Sequence, residues 1–428
     1  MRKSIIAVTA IWFLLFLGVN ADAGDFVSGS TGADGAFNPT ANTELQLPAN
    51  GIFNFTTVNI PTGVTITFKK NAANTPVYIL ATGDVNIAGT IDVNGENGMD
   101  GNTGSTGPIY GGKGGPGGFD GGSGGEPAST GVNEVPSGSG LGPGGSIGGD
   151  GTTIWSGYSY YWDPPLSRYC YLNNGQAGSY ASKGATYCNT PSSLGAFLNG
   201  AGSIYGTPAL MPLIGGSGGG GGRPGSSLGE YGGGGAGGGG AILIASSTKI
   251  NITGSIKAEG GKGGNYTFQQ VYGISYSRNY GGGGSGGGVK LIANRITISG
   301  SVSANGGSTS SGTNINTRGG DGRIRLETNN LSQTGSISPS PSVTTPNSVF
   351  IPNTPTLSIT KIAGNSVPAS ASGSYATPDI TLSSTTTNPV SIEISATNIP
   401  AGTSVKITAT PLHGSQTSAD ATLAGTNA

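Results

Sequence analysis

Four segments of the chain are copies of one another, and this repetition constrains the fold more than any other feature. They are Val77–Gly95 (VYILATGDVNIAGTIDVNG), Ala241–Gly260 (AILIASSTKINITGSIKAEG), Val289–Gly306 (VKLIANRITISGSVSANG) and a decayed copy, Arg323–Pro339 (RIRLETNNLSQTGSISP). Each holds three short apolar bursts. The first resembles Ile242-Leu243-Ile244. The second alternates, as in Ile250 and Ile252 or Ile296 and Ile298. The third follows a glycine, as in Ile91 and Val93 or Val302 and Ala304. Period-two alternation over a few residues signals a strand, and the glycine between bursts marks a corner. One copy cannot bury its own Ile and Val residues, but stacked copies can. The expected fold is therefore all-β, with the copies as coils of a parallel β-helix; an antiparallel sandwich is the competing arrangement. Ile52–Ile60 and Val64–Phe68 also alternate and fit a lead-in coil, with Pro61-Thr62-Gly63 as the turn between them.

The copies are unevenly spaced, so long excursions separate them, and the excursions are where glycine concentrates. Glycine makes up 84 of 428 residues, in runs such as GGKGGPGGFDGGSGG at 111–125, two more within 215–240, and GGGGSGGG at 281–288. Collagen is excluded, because no strict three-residue period runs through the chain. The runs are either flexible and disordered, or polyglycine II-like, extended in left-handed chains packed closely for want of a Cβ. Three runs lead directly into repeat strands, at Ala241, Val289 and Arg323, which favours packing.

Residues 1–23 read as a signal peptide. Arg2 and Lys3 precede the apolar run Ile5–Val19, and Ala21-Asp22-Ala23 fits a cleavage site. The run is shorter than the roughly 18 residues that span a bilayer, and no second apolar run is long enough, so no membrane span is expected in the mature chain. The expected location is secreted, extracellular or cell-surface, and in an oxidising compartment Cys170 and Cys188 are expected to pair as a disulfide.

The expected domains are a glycine-rich β-helical body at 24–338, a Pro/Ser/Thr linker at 339–355 and an Ig-like β-sandwich at 356–428, where Leu357–Ile362, Val390–Ser395 and Ser404–Ala409 alternate. Within the body, residues 152–214 form an aromatic insert carrying both cysteines. Tyr158, Tyr160, Tyr161, Trp162, Tyr169 and Tyr171 are its candidate ligand-binding residues; Tyr180 and Tyr187 lie in the same stretch. Tyr and Trp give large contact area with few rotatable bonds, and they also build small cores. An extended Tyr158–Trp162 run cannot turn every ring inward.

Charged residues are 9% of the chain and the formal net charge is −1, which argues against a nucleic-acid partner. His413 is the single histidine, so a His-based triad or metal site is not expected, and no cofactor is implied. Asp84 and Asp92 lie on one repeat, but Thr248 and Lys257 take their places in the next, so neither carboxylate belongs to the pattern and no catalytic pair is selected. Asp92-Val-Asn94-Gly-Glu96-Asn97-Gly98-Met-Asp100 places oxygens at alternate positions yet fails the EF-hand spacing, so no metal is assigned.

The GDVNIAGTIDVNG stretch, followed by glycine-rich loops, resembles glycine-rich secreted bacterial parallel β-helix proteins, similar in style to haemagglutinin-like and pectin-lyase-like surface adhesins. The glycine runs also resemble the layered tips of some phage tail-fibre adhesins. These resemblances imply an extracellular, non-enzymatic structural or adhesive protein with a glycan or cell-surface partner. A secreted carbohydrate-active enzyme on a β-helix and a matrix or fibre-forming protein are the alternatives.

Overall fold

A computed structural model describes residues 26–101, 107–127, 134–149, 160–163, 168–171, 175–185, 202–224, 231–265, 279–308, 318–369 and 371–425 except 372, 374 and 376. The described residues contain no helix.

The four copies lie side by side in two large parallel sheets. In the ten-stranded sheet, Ala241–Ile252 sits between Gly288–Ile298 on one side and Val77–Ala81 with Val85–Ile87 on the other; Arg323–Glu327 and Asn330–Gln333 follow Gly288–Ile298. In the six-stranded sheet the order is Ser336–Ser338, Ser301–Ser303, Ser255–Lys257, Thr90–Asp92, Thr65–Lys69, Thr43–Gln46. Each apolar burst keeps the register of the sequence repeat: Ile242 pairs with Val77 and Val289, Ile250 with Val85 and Ile296, Ile256 with Ile91 and Val302, with a register shift between Ser246 and Lys249. Ile52–Phe55 and Thr57–Ile60 join the larger sheet as the lead-in strands expected there.

The inward apolar residues of every copy meet in one buried cluster, including Ile79, Ile87, Ile91, Ile244, Ile252, Ile256, Leu291, Ile298, Val302 and Leu326. Each fully buried aliphatic side chain contributes about 1.5–3 kcal/mol, which offsets the conformational entropy of short, locally weak strands. The corner glycines stack on one another. A Cβ on Gly254 would strike the Gly89 carbonyl, and one on Gly300 the Gly254 carbonyl, so the corner closes only without a side chain.

A smaller cluster (Phe26, Leu80, Leu243, Ala245 and Ile292) lies apart from that core and is flanked by Leu213 and Val349. Nearby, Glu327 accepts hydrogen bonds from Lys290 (3.0 Å) and Arg325 (3.1 Å), with Lys290 and Glu327 almost fully buried. Lys290 also reaches the Ala209 carbonyl and Glu327 the Asn347 amide. Part of the expected linker is therefore laid against the body: Ser342–Thr344 pairs with Arg323–Glu327, and Phe350 packs on Tyr78.

The described glycine runs are ordered and hydrogen-bonded laterally. Along 232–240, the amides of Gly232, Gly235 and Gly238 donate to the carbonyls of Gly125, Gly122 and Phe119; those of Gly233, Ala236 and Gly239 to Asn279, Gly282 and Ser285; those of Gly234, Gly237 and Gly240 to Met99, Glu96 and Val93. Every third residue returns to the same neighbouring chain, the repeat of an extended helix with three residues per turn and no internal hydrogen bonds. None of these glycines has a φ in the left-handed region, so the backbone conformation does not demand glycine. Space does: a Cβ on Gly235 would overlap the Gly219 carbonyl.

The C-terminal strands are antiparallel. Thr356–Ile362 pairs with Asn365–Ser366 and Ile392–Thr397, and Ser404–Ala409 with Thr417–Thr422. These strands form two separate sheets, and no described residue from 356 to 425 is buried. This region touches the glycine bundle, where the Leu412 carbonyl accepts from Ser123 and the Gly414 amide donates to the Ser137 carbonyl.

Candidate binding surface

The sequence places its candidate contact residues in the insert, and the structure gives part of that insert a definite register. Tyr160–Asp163 and Arg168–Tyr171 form an antiparallel hairpin in which Tyr160 lies opposite Tyr171, Tyr161 opposite Cys170, Trp162 opposite Tyr169 and Asp163 opposite Arg168. Tyr158 and Cys188 lie outside the described residues, as do Trp155 and Tyr187, so the expected Cys170–Cys188 disulfide does too.

Both flanks of the segment are fixed in the glycine bundle. The Gly149 amide donates to the Gly221 carbonyl (2.8 Å) and the Gly175 amide to the Tyr280 carbonyl (2.9 Å). Beside them, Ser146 donates to the Gln176 carbonyl, whose oxygen also accepts from Gly220. Gly175 packs so closely on Gly220 that no Cβ fits.

Tyr180 belongs to the core rather than to a contact surface. It is fully buried, its hydroxyl donates to the Ile214 carbonyl (3.0 Å), and its ring lies 4.6 Å from that of Tyr205 with the Arg323 guanidinium above it at 5.6 Å. Tyr205 donates to the Gly215 carbonyl and accepts from Ser217. Burial pushes both phenols well above their ordinary value. Tyr205 escapes sequence reading because it stands alone among Gly, Ser and Pro; its near neighbour Gly206, which has a left-handed φ and abuts the Tyr180 ring, is the one local signal of a tight site.

The acidic residues near the repeats have structural partners. Asp84 accepts from Thr248 (2.7 Å) and pairs with Lys249 (3.1 Å), and the Thr248 hydrogen bond leads in holding its carboxyl below the usual range. Asp120 accepts from the Gly114 amide and pairs with Lys70, whose amine burial pushes down. The oxygens tested above as a calcium loop form a ladder: Asn94, Asn97 and Asp100 accept from the amides of Glu259, Lys262 and Asn265, at 2.6, 2.8 and 2.7 Å. Their three-residue spacing is the pitch of the bundle. Among the described residues no group of three or more His, Cys, Asp or Glu is placed to hold a metal ion, and no helix is long and apolar enough to cross a membrane.

Comparison with protein-family models, with curated proteins and with solved structures finds no match.

Proposed function

We propose that the chain is an extracellular, non-enzymatic adhesive protein: a parallel β-helix forms its shaft, a polyglycine II-like bundle forms a rigid mount, and the aromatic hairpin is the contact surface. The observation that carries this reading is that both flanks of the aromatic insert, at Gly149 and Gly175, are hydrogen-bonded into the bundle. The bundle interior is backbone and offers a partner few side chains. The hairpin concentrates the residue types that dominate contact surfaces. A glycan array probed with the mature protein and with a Trp162→Ala, Tyr160→Ala variant tests it. Loss of array binding in the variant supports the hairpin as the contact surface, and unchanged binding removes it.

A matrix or fibre-forming role is the second reading. It is favoured by Asn330–Gln333 and Ser336–Ser338, the outermost strands of the stack on that side, which are largely exposed and carry no charged residue to discourage further pairing. Concentration-dependent growth in light scattering supports that role, and a monomer at all concentrations overturns it.

A further inference from the structure

We infer that copies of this chain stack end to end in one direction, the end of one copy that carries Ala36–Phe37 and Thr43–Gln46 seating on the end of the next that carries Asn330–Gln333 and Ser336–Ser338. This rests on the second reading above, of a fibre-forming protein, and it adds the partner, the two surfaces and the polarity of growth.

The open backbone edges at the two ends correspond. Among the described residues, Ala36–Phe37 pairs only with Thr57–Ile60, and Thr43–Gln46 only with Thr65–Lys69. At the other end, Asn330–Gln333 pairs only with Gly288–Ile298, and Ser336–Ser338 only with Ser301–Ser303. The strands of the first burst are covered at both ends. The Asp34 amide donates to the Asn54 carbonyl, the Asp34 carboxylate accepts from the Asn54 amide (2.6 Å), and the Ser30 hydroxyl donates to the Phe55 carbonyl, so residues 30–34 lie over Ile52–Phe55. Ser342–Thr344 lies over Arg323–Glu327. Both ends therefore leave open the same two bursts, the second and the third. Every pairing in the two large sheets is parallel, so a copy displaced along the stack presents the required strands in the required direction.

The core is unfinished at the same places. Phe37, Leu45, Leu331 and Ile337 are the half-buried apolar residues packed against the main cluster, and each sits on one of the four open strands. Register puts Phe37, Val58, Val85, Ile250, Ile296 and Leu331 in one file across the larger sheet. A following copy extends that file, laying its Phe37 on Leu331 at the strand spacing of about 4.8 Å. In the smaller sheet the file that begins at Thr43 and Ile66 ends at Val302 and Ile337, and it continues in the same way. The exposed Glu44 then falls opposite the exposed, uncharged Ser338. Two like ends meeting at Thr43–Gln46 would bring two Glu44 carboxylates to one joint, so charge favours unlike ends. A joint between unlike surfaces does not close on itself, and growth is linear.

Sedimentation velocity of the mature full chain over a range of concentrations tests this. The parent is expected to form a series of species that lengthens with concentration. Phe37→Glu blocks one end and Leu331→Glu the other, and each alone is expected to weaken association by about tenfold or more. An equimolar mixture of the two keeps one intact end on each chain and is expected to give dimers and nothing larger. Ser338→Glu is expected to weaken association by about two- to fivefold, and Glu44→Lys added to the same chain to restore it. Both of those positions are exposed, so the charge exchange decides the matter even where a glutamate at 37 or 331 unfolds the chain. Full association of Leu331→Glu alone, a mixture of folded variants that stays monomeric, or no recovery with Glu44→Lys overturns end-to-end stacking while leaving fibre formation. A parent that is monomeric at every concentration overturns both.

Discussion

Placing one methyl group inside the glycine bundle is expected to cost several kcal/mol, and Gly235→Ala is the sharpest case. Its Cβ would overlap the Gly219 carbonyl and the Gly220 carbonyl carbon, both main-chain atoms of a buried run that cannot swing aside as a side chain would. Overpacking of this kind costs about 1–3 kcal/mol where neighbours can adjust. Here relief requires the chains to part, which breaks the bond from the Gly219 amide to the Ala236 carbonyl (2.9 Å) and leaves a buried donor and acceptor unpaired, at about 1–3 kcal/mol each. The restricted unfolded chain returns about 0.4–1 kcal/mol. The net expectation is a loss of about 2–9 kcal/mol, a large part of the stability of an ordinary domain. Ala236 is the internal control: it is fully buried and still donates to Gly282, so a methyl is accommodated one residue away. Ala236→Gly should cost only about 0.5–1 kcal/mol. Urea unfolding followed by circular dichroism reads both. Gly235→Ala within about 1 kcal/mol of the parent would refute close lateral packing.

Other consequences are also measurable. Glu327→Ala leaves Lys290 charged and buried and should cost about 3–5 kcal/mol, whereas replacing Lys290 and Glu327 together by methionine should recover most of that in urea melts; no recovery would mean the pair is not the cause. Ile250→Ala, in the middle of the stacked core, should cost about 2–5 kcal/mol, and a loss under about 1 kcal/mol would place it at a surface. Tyr180 and Tyr205 stay protonated in the fold at pH values where the unfolded phenols ionise. Their contribution is complete below pH 10.0, the ordinary phenol value, and is lost as the pH rises above it. Replacing both with phenylalanine should flatten the alkaline limb of a stability–pH profile, and an unchanged limb would contradict their burial.

The stacked strands were legible because the inward positions are restricted to aliphatic residues, so Ile242, Ile250 and Ile256 recur in step with Val289, Ile296 and Val302. Corner glycines such as Gly254 were legible for the same reason. The bundle was not, because glycine carries no side chain to distinguish an inward position from an outward one. Its period shows only at the edge, where Gly95, Gly98 and Gly101 face other chains and the residues between them vary. That local period was hidden by its absence elsewhere in the chain. The role of Asn94, Asn97 and Asp100 was not legible, because their partners, amides 165 residues away, have no signature in sequence. Lys290 could have been noticed, as a charge within the apolar burst Val289–Ile292, whereas Glu327 ends a strand that also carries Arg323 and Arg325 and so does not stand out. In the insert, the pairing of Tyr160–Asp163 with Arg168–Tyr171 had no signature in the sequence, because the residues between and around them carry no tight-turn pattern that fixes a register.

Amide hydrogen exchange across residues 232–240, resolved by mass spectrometry, tests the central claim most directly. Each of these amides donates to a carbonyl of another chain segment, so the account predicts protection comparable to that of the adjoining strand Ala241–Ile252. Exchange of the glycine run at the rate of an unstructured peptide, while the strand stays protected, would contradict it.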